Sequence, residues 1–198
     1  MSIDKPLVPQ GPLLLTPAST RLVAGSLILA YLATQLPWPD GVSWLLPDFT
    51  LAVLLYWSIH APHRAGLGLA MTLGLLTDIA QGGLMGQHAL TYTLSAFAAL
   101  SLRRRLENFQ VGGRALQLAP IFFGQQLLFL LLGLAFHRPD VDWRFLAAGV
   151  ATALFWIPAA HLLDWLTGWT SKMHIEPADS DPSVRTRGRA GHGGRGPR

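Results

Sequence analysis

The residues best suited to chemistry lie in one stretch, from Gly66 to Leu94. Asp78 lies near the end of an apolar run in that stretch, and His88 opens the next apolar run. A glycine turn separates the two: Gly82, Gly83 and Gly86. Placing a carboxylate at the centre of a membrane costs about 2.5–3.5 kcal/mol. Even near the end of a segment, the position of Asp78 therefore requires an explanation.

Three interpretations of Asp78 compete. The carboxylate hydrogen-bonds backbone amides at the glycine turn, or it pairs with His88 or contacts another protein, or it binds an ion or a proton during transport. No second acid in the apolar segments is placed to complete a relay, which argues against transport.

A strip of small residues precedes this aspartate. Gly66, Ala70 and Gly74 are spaced four apart, so on a helix they form a surface that another helix can approach closely. Asp78 follows Gly74 by one more turn and therefore projects near the strip. Together with the small residues of the next segment, the strip predicts the surface on which the transmembrane part of a partner protein packs; those later residues are Ala89, Ala96 and Ala99.

Other polar groups have simpler interpretations. The turn from His60 to Arg64 holds two histidines three apart, but the further ligands that a metal site needs are not evident nearby. His161 and Asp164 lie one turn apart and predict a local pair. The run Arg103-Arg104-Arg105 ends the fourth apolar segment, where it fixes topology, receives an acidic partner or lipid, or does both.

The sequence lacks the common catalytic motifs. The chain has no Gly-x-Ser-x-Gly elbow, no His-Glu-x-x-His pair and no phosphate-binding glycine loop, and it has no cysteine. An intramembrane protease would need paired aspartates or a Ser–His pair deep in the bundle. We therefore expect neither an enzyme nor a bound metal or cofactor.

The elements that must position these residues are apolar helices. Hydrophobic residues make up 51% of the 198 residues and charged residues only 13%, too few for a soluble surface. Six apolar segments follow one another: 22–36, 45–59, 65–80, 88–102, 116–136 and 145–166. The last two reach the roughly 20 residues that a membrane span needs, and the first four are shorter. The predicted fold is an all-α bundle of six transmembrane helices.

The basic residues decide the orientation. With six spans and both termini in the cytoplasm, only Arg138 and Arg144 remain outside, and Arg64 and Arg103–Arg105 lie inside. The sequence predicts a cytoplasmic Pro-rich region over residues 1–21, a transmembrane domain over 22–166 and a basic, disordered cytoplasmic tail over 167–198, with the composition changing from about His174. Basic loops and tail beside a membrane favour anionic lipids, and no nucleic acid is expected.

The stretch from Gly74 to Leu90, GLLTDIAQGGLMGQHAL, resembles the signature region of MreD, the rod shape-determining membrane protein family. The flanks agree in order and spacing: Pro47-Asp48-Phe49, Tyr56-Trp57, the His60–Arg64 turn and Leu102–Leu106. The similarity extends from about Leu22 to Leu166. The Pro-rich start and the Arg/Gly-rich end depart from it.

The resemblance, rather than the composition, implies a function. MreD-like proteins belong to the inner-membrane machinery that directs peptidoglycan synthesis along the side wall of rod-shaped bacteria. Their expected partners are MreC directly, and MreB, RodA and the transpeptidase partner of RodA within the complex. Their fold is similar to the six-helix substrate-binding component of vitamin uptake transporters, so a small-molecule uptake component is the alternative function. No catalytic residue carries over. The motif that carries over is a structural or partner-contact feature: Gly74, Asp78, Gly82, Gly86 and His88.

Overall fold

The structure, a computed structural model, describes residues 19–39, 43–82, 84–106, 109–136 and 143–174. All regular structure in these residues is helical. The six α-helices are α1 (Thr20–Thr34), α2 (Phe49–His60), α3 (Leu67–Gln81), α4 (Gln87–Leu106), α5 (Val111–Ala135) and α6 (Leu146–His174). Two short 3-10 helices, Ser43–Leu45 and Trp143–Phe145, precede α2 and α6. Each of the six predicted apolar segments coincides with one α-helix.

Helix α2 lies at the centre of the bundle. Every residue from Thr50 to Ile59 is buried, because α1, α4 and α6 pack around it. Its apolar residues therefore cover the whole circumference of the helix instead of one face. With 12 residues it is about 18 Å long, shorter than the roughly 30 Å hydrocarbon core of a bilayer. A short central helix leaves space for polar groups at both of its ends.

The remaining helices pack in chain order. Helix α3 lies against α4, α4 against α5 and α5 against α6, while α1 packs on α2. Short connections between packed neighbours make them antiparallel. Asp78 is therefore at one end of the bundle, with the start of α4, and Arg64 and Arg103 are at the other. We call these the Asp78 end and the arginine end.

Two helical segments are long and apolar enough to cross a membrane, Val111–Ala135 and Trp143–Gly168. Three shorter apolar helices accompany them: α1, α2 and α3. Large apolar side chains are exposed on the outside of the bundle, among them Leu29, Leu116 and Leu134, each more than 60% exposed. Such a surface suits lipid better than water.

Two tryptophans are fully buried inside the bundle. Trp57 lies in α2, and its indole N–H donates to Ser26 Oγ at 2.8 Å. Trp156 lies in α6. Helix α6 continues through Pro158 to His174, past residue 166 where the predicted transmembrane domain ends.

Candidate functional site

The Asp78 carboxylate joins the end of α3 to the start of α4. It accepts hydrogen bonds from the backbone N–H of Gly86 at 2.9 Å, of His88 at 2.8 Å and of Ala89 at 3.2 Å. The Nδ1–H of His88 also donates to it, at 2.8 Å. Asp78 is 2% exposed. The structure thus contains the contacts of two of the three interpretations. These are the hydrogen bonds from backbone amides at the glycine turn and the pair with His88.

These contacts supply a helix cap from another helix. The carbonyl of Gly86 accepts the first bond of α4, from Leu90 N–H at 2.9 Å, so Gly86 occupies the N-cap position. An N-cap side chain normally accepts the backbone N–H groups two or three residues later, and glycine has no side chain to do so. Asp78 takes that role and also places its negative charge at the positive end of the α4 dipole.

The glycine turn makes this reach possible. Gly82 ends α3 in the left-handed conformation, with φ +61°, and Gly86 has φ +94°. Side-chain-bearing residues rarely adopt a positive φ, and a β-branched or bulky residue would be strained there. The two glycines turn the chain back so that the first turn of α4 faces Asp78.

The predicted strip of small residues is used inside the chain. A Cβ added to Gly74 would lie 2.4 Å from the Cα of Ala89 and 2.6 Å from the carbonyl oxygen of His88. Ala70, Ala96 and Ala99 are fully buried, as is most of Ala89. Gly66 precedes α3 at the arginine end and is half-buried. The close approach that the spacing predicts is therefore that of α4 onto α3, and at Gly74 the neighbouring helix belongs to the same chain and not, as predicted, to a partner.

His88 is held from several sides. Its Nδ1 faces Asp78, and its ring lies 4.8 Å from the ring of Phe129 and 5.7 Å from that of Tyr92, measured between centroids. The side chain is 12% exposed. Because a carboxylate only accepts, Nδ1 is the ring nitrogen that donates in this contact. In the described part of the chain no group of three or more His, Cys, Asp or Glu residues could hold a metal.

A second acid at the same end escaped the sequence analysis. Asp48 caps α2: its Oδ1 accepts Leu51 N–H at 2.9 Å, and its Oδ2 accepts the hydroxyl of Tyr92 at 2.6 Å. Its own N–H donates to Thr152 Oγ1 at 2.9 Å. Thr34 Oγ1 accepts a hydrogen bond from Thr50 N–H at 3.2 Å. The start of α2 is thereby tied to α1, α4 and α6.

A cavity of about 260 Å³ opens between these groups, and we call it the end cavity. Its polar lining residues are Thr34, Asp48, Gln81, His88, Tyr92, Gln125 and Gln126. Its apolar lining residues are Leu36, Trp38, Leu46, Pro47, Phe129, Phe145 and Ala148. No lysine or arginine contributes to this lining among the described residues. The cavity offers hydrogen-bonding groups and the carboxylate of Asp48.

The predicted basic contacts lie at the opposite end. Arg64, Arg104 and Arg105 are exposed there, and Arg103 is half-buried. The three consecutive arginines form the last turn of α4, where cations are favourable at the negative end of the helix dipole. The structure thus separates the predicted site residues into two groups, one at each end of the bundle.

A long-range polar network also lies at the arginine end. Tyr56 donates its hydroxyl to Asp164 at 2.5 Å, whereas His161, the predicted partner of Asp164, is exposed. Arg114 donates to the Nε2 of His60 at 3.0 Å, so His60 is neutral and its Nδ1–H donates to the Tyr56 carbonyl at 2.8 Å. Arg114 Nε also donates to the carbonyls of Leu106 and Phe109 at 3.1 and 2.8 Å.

One sequence pattern could have predicted the role of Asp48. Pro47-Asp48 directly before an apolar run is a helix-start pattern, and it identifies Asp48 as a cap. Nothing local predicts that Tyr92 reaches Asp48 across 44 residues, or that Gln125 faces the end cavity.

The fold and the site define a class of protein: a small helical membrane protein whose polar groups cap helices and line a cavity. The family model for the rod shape-determining protein MreD matches residues 19–166. The chain is also similar to the rod shape-determining protein MreD of Haemophilus influenzae, with 28% identity over 129 residues that cover 65% of this chain and 80% of the relative. No solved structure matches. The chain belongs to the MreD family, and its role is in cell shape.

Proposed function

We propose that this chain is a non-enzymatic scaffold of the cell-wall elongation complex that binds MreC and so supports lateral peptidoglycan synthesis. All six helices cross or enter the inner membrane with both termini in the cytoplasm, which puts the Asp78 end outside and the arginine end inside. Arg64, Arg104 and Arg105 are exposed at the arginine end, whereas Arg144 is exposed at the Asp78 end. This excess supports the orientation, because basic residues favour the cytoplasmic face. Arg64 and Arg103–Arg105 then face anionic lipids and the MreB filament.

The observation that carries the proposal is the end cavity. In this orientation it opens to the outside, where a periplasmic part of MreC would reach it. At about 260 Å³ it lies below the range of about 300–1,000 Å³ that is usual for small-molecule sites. It suits a side chain or a short peptide segment with hydrogen-bonding groups. The capped starts of α2 and α4 fix its walls.

Obstructing the cavity tests the proposal. Gln81 is exposed at the end of α3 and lines the cavity, so Gln81→Trp narrows its mouth at little cost to the fold. Ile79→Trp is the matched control, since Ile79 is 63% exposed on the same helix and does not line the end cavity. We expect Gln81→Trp to lower the MreC that co-purifies by fivefold or more, and Ile79→Trp to leave it unchanged. Equal yields from the two variants would reject the end cavity as the contact.

The alternative function, a vitamin-type uptake component, gains one observation. Such a component requires an outward cavity lined by polar and aromatic groups, and the lining of the end cavity includes polar and aromatic residues. Its small volume and the membership of the MreD family favour the scaffold. The two are separated by measuring thermal stability of the purified protein with a panel of vitamins and with MreC. Stabilisation by a vitamin and none by MreC would reverse the order.

A further inference from the structure

The end cavity contains a carboxylate that the fold uses only in part. Asp48 accepts one hydrogen bond at Oδ1, from Leu51 N–H at 2.9 Å, and one at Oδ2, from the Tyr92 hydroxyl at 2.6 Å. An ionised carboxylate has about four lone-pair sites, so these two bonds leave about half of its acceptor capacity. Asp48 is half-buried and lines the cavity. A group that enters the cavity can therefore bind to this carboxylate.

The neighbouring acid shows the opposite state. Asp78 accepts four hydrogen bonds, three from the backbone N–H groups of Gly86, His88 and Ala89 and one from the imidazole of His88. These four bonds fill its lone-pair sites. The imidazole of His88 also lines the end cavity, but its Nδ1 is directed to Asp78. The structure thus pairs His88 with Asp78 and leaves Asp48 as the carboxylate that faces the cavity.

Aromatic rings form a large part of the remaining wall. Trp38, Tyr92, Phe129 and Phe145 all line the cavity. The face of an aromatic ring carries partial negative charge and attracts an ammonium or guanidinium group. A carboxylate also binds such groups through short, charge-assisted hydrogen bonds. Because removing a carboxylate from water is costly without a partner, a cation that reaches Asp48 offsets this cost as well.

We infer that the end cavity binds an organic cation, an ammonium or guanidinium group, whose charge meets Asp48 and whose sides meet the aromatic wall. The inference rests on the proposed function, because it names the chemistry of the group that enters the outward-facing cavity. The volume of about 260 Å³ suits one such group with part of an alkyl stem. Two sources share this chemistry: a lysine or arginine side chain of a peptide segment, and a free small amine.

Probes that differ only in charge test this chemistry. The full-length protein in detergent is titrated with n-butylammonium and n-butanol, and with the peptide amides Gly-Lys-Gly and Gly-norleucine-Gly. Thermal unfolding gives the Kd of each probe. We expect both cations to raise the unfolding temperature with a saturable dependence on concentration, and both neutral probes to leave it unchanged. Equal stabilisation by the charged and the neutral member of each pair would overturn the inference.

Two variants locate the binding site. Asp48→Asn removes the charge but keeps a helix cap, since asparagine caps helix starts about as well as aspartate, and we expect at least tenfold weaker binding of both cations. Asp164→Asn is the matched control, because that carboxylate lies at the arginine end, and its Kd values should not change. Trp38→Leu removes one ring of the wall at a residue 41% exposed, which predicts about two- to fivefold weaker binding. Unchanged Kd values in Asp48→Asn and Trp38→Leu would reject the site, and Trp38→Leu alone decides if Asp48→Asn does not fold.

The same titrations separate the two sources and the two proposals. A Kd for the lysine peptide at least tenfold below that of n-butylammonium assigns the cation to a peptide segment, whereas comparable values assign it to a free amine; both results support the cation site. Absence of binding by either cation, when Gln81→Trp has lost MreC, would reject the cation site and keep the proposed function. Saturable binding of the cations, when Gln81→Trp leaves MreC unchanged, would keep the cation site and reject the proposed contact.

Discussion

The two ends of the bundle use charge in opposite ways. At the Asp78 end, carboxylates cap the starts of two helices: Asp48 caps α2 and Asp78 caps α4. At the arginine end, cations lie at helix ends: Arg103–Arg105 form the last turn of α4, and Arg114 donates to the Leu106 carbonyl. Both arrangements complement the helix dipole, which is positive at the start of a helix and negative at its end.

The ends differ in how completely their charges are satisfied. Asp78 accepts three backbone N–H groups and one imidazole N–H, all from the segment Gly86–Ala89. Asp164, at the other end, accepts one hydroxyl, that of Tyr56, and is half-buried. The difference teaches that the Asp78 carboxylate holds one whole helix start in place, which suits the wall of a binding cavity. The Asp164 carboxylate joins only two side chains, at the end that faces the cytoplasm in the proposed orientation.

Removing Asp78 should give the largest effect. Asp78→Ala leaves three buried amides and His88 without their acceptor, and we expect a loss of about 3–5 kcal/mol in the free energy of unfolding. Asp164→Ala is the matched change at the arginine end, with an expected loss of about 1–2 kcal/mol. Thermal unfolding in detergent measures both. If the two variants unfold at the same temperature, the contrast between the ends is wrong.

The contact of α3 with α4 gives the next largest effect. Gly74→Ala puts a Cβ 2.4 Å from the Cα of Ala89, a backbone atom that can move only with the helix, so we expect a loss of about 1–3 kcal/mol. Gly68→Ala, on the same helix, meets nothing within 4 Å and replaces a poor helix former, which predicts a gain of up to about 1 kcal/mol. Opposite shifts of the unfolding temperature are the expected result. A loss of stability in both variants would point to the helix backbone and not to the contact.

These two predictions concern features that the sequence reveals well. The six helices follow from apolar segments, because burial in lipid or in the bundle needs uninterrupted apolar residues. The contact of Asp78 with the glycine turn spans 8–11 residues, so local spacing suffices to propose it. The small-residue strip predicted a close helix neighbour, although its spacing could not say that the neighbour is α4 of the same chain.

The features that the sequence does not reveal depend on distant pairs. Tyr92 reaches Asp48 across 44 residues, and Tyr56 reaches Asp164 across 108. Which helix faces meet is decided by how all six helices pack, and a single sequence carries no signal for such a pair. The position of Gln125 in the lining of the end cavity has the same origin. Its side chain reads only as a polar residue in an apolar segment until α4 is placed beside it.

The smallest expected effect, at the arginine end, sharpens the comparison most. Tyr56→Phe removes only the hydroxyl that donates to Asp164, and the ring can keep its packing on His60, with centroids 4.1 Å apart. Because half-buried Asp164 can turn to water, we expect a loss of only about 0.5–1.5 kcal/mol in the free energy of unfolding. Tyr31→Phe, whose exposed hydroxyl donates to the Leu76 carbonyl, should change almost nothing. Thermal unfolding of both variants beside Asp78→Ala gives the ranking. A loss from Tyr56→Phe as large as that from Asp78→Ala would mean that the fold depends on the carboxylate of the arginine end as much as on that of the Asp78 end.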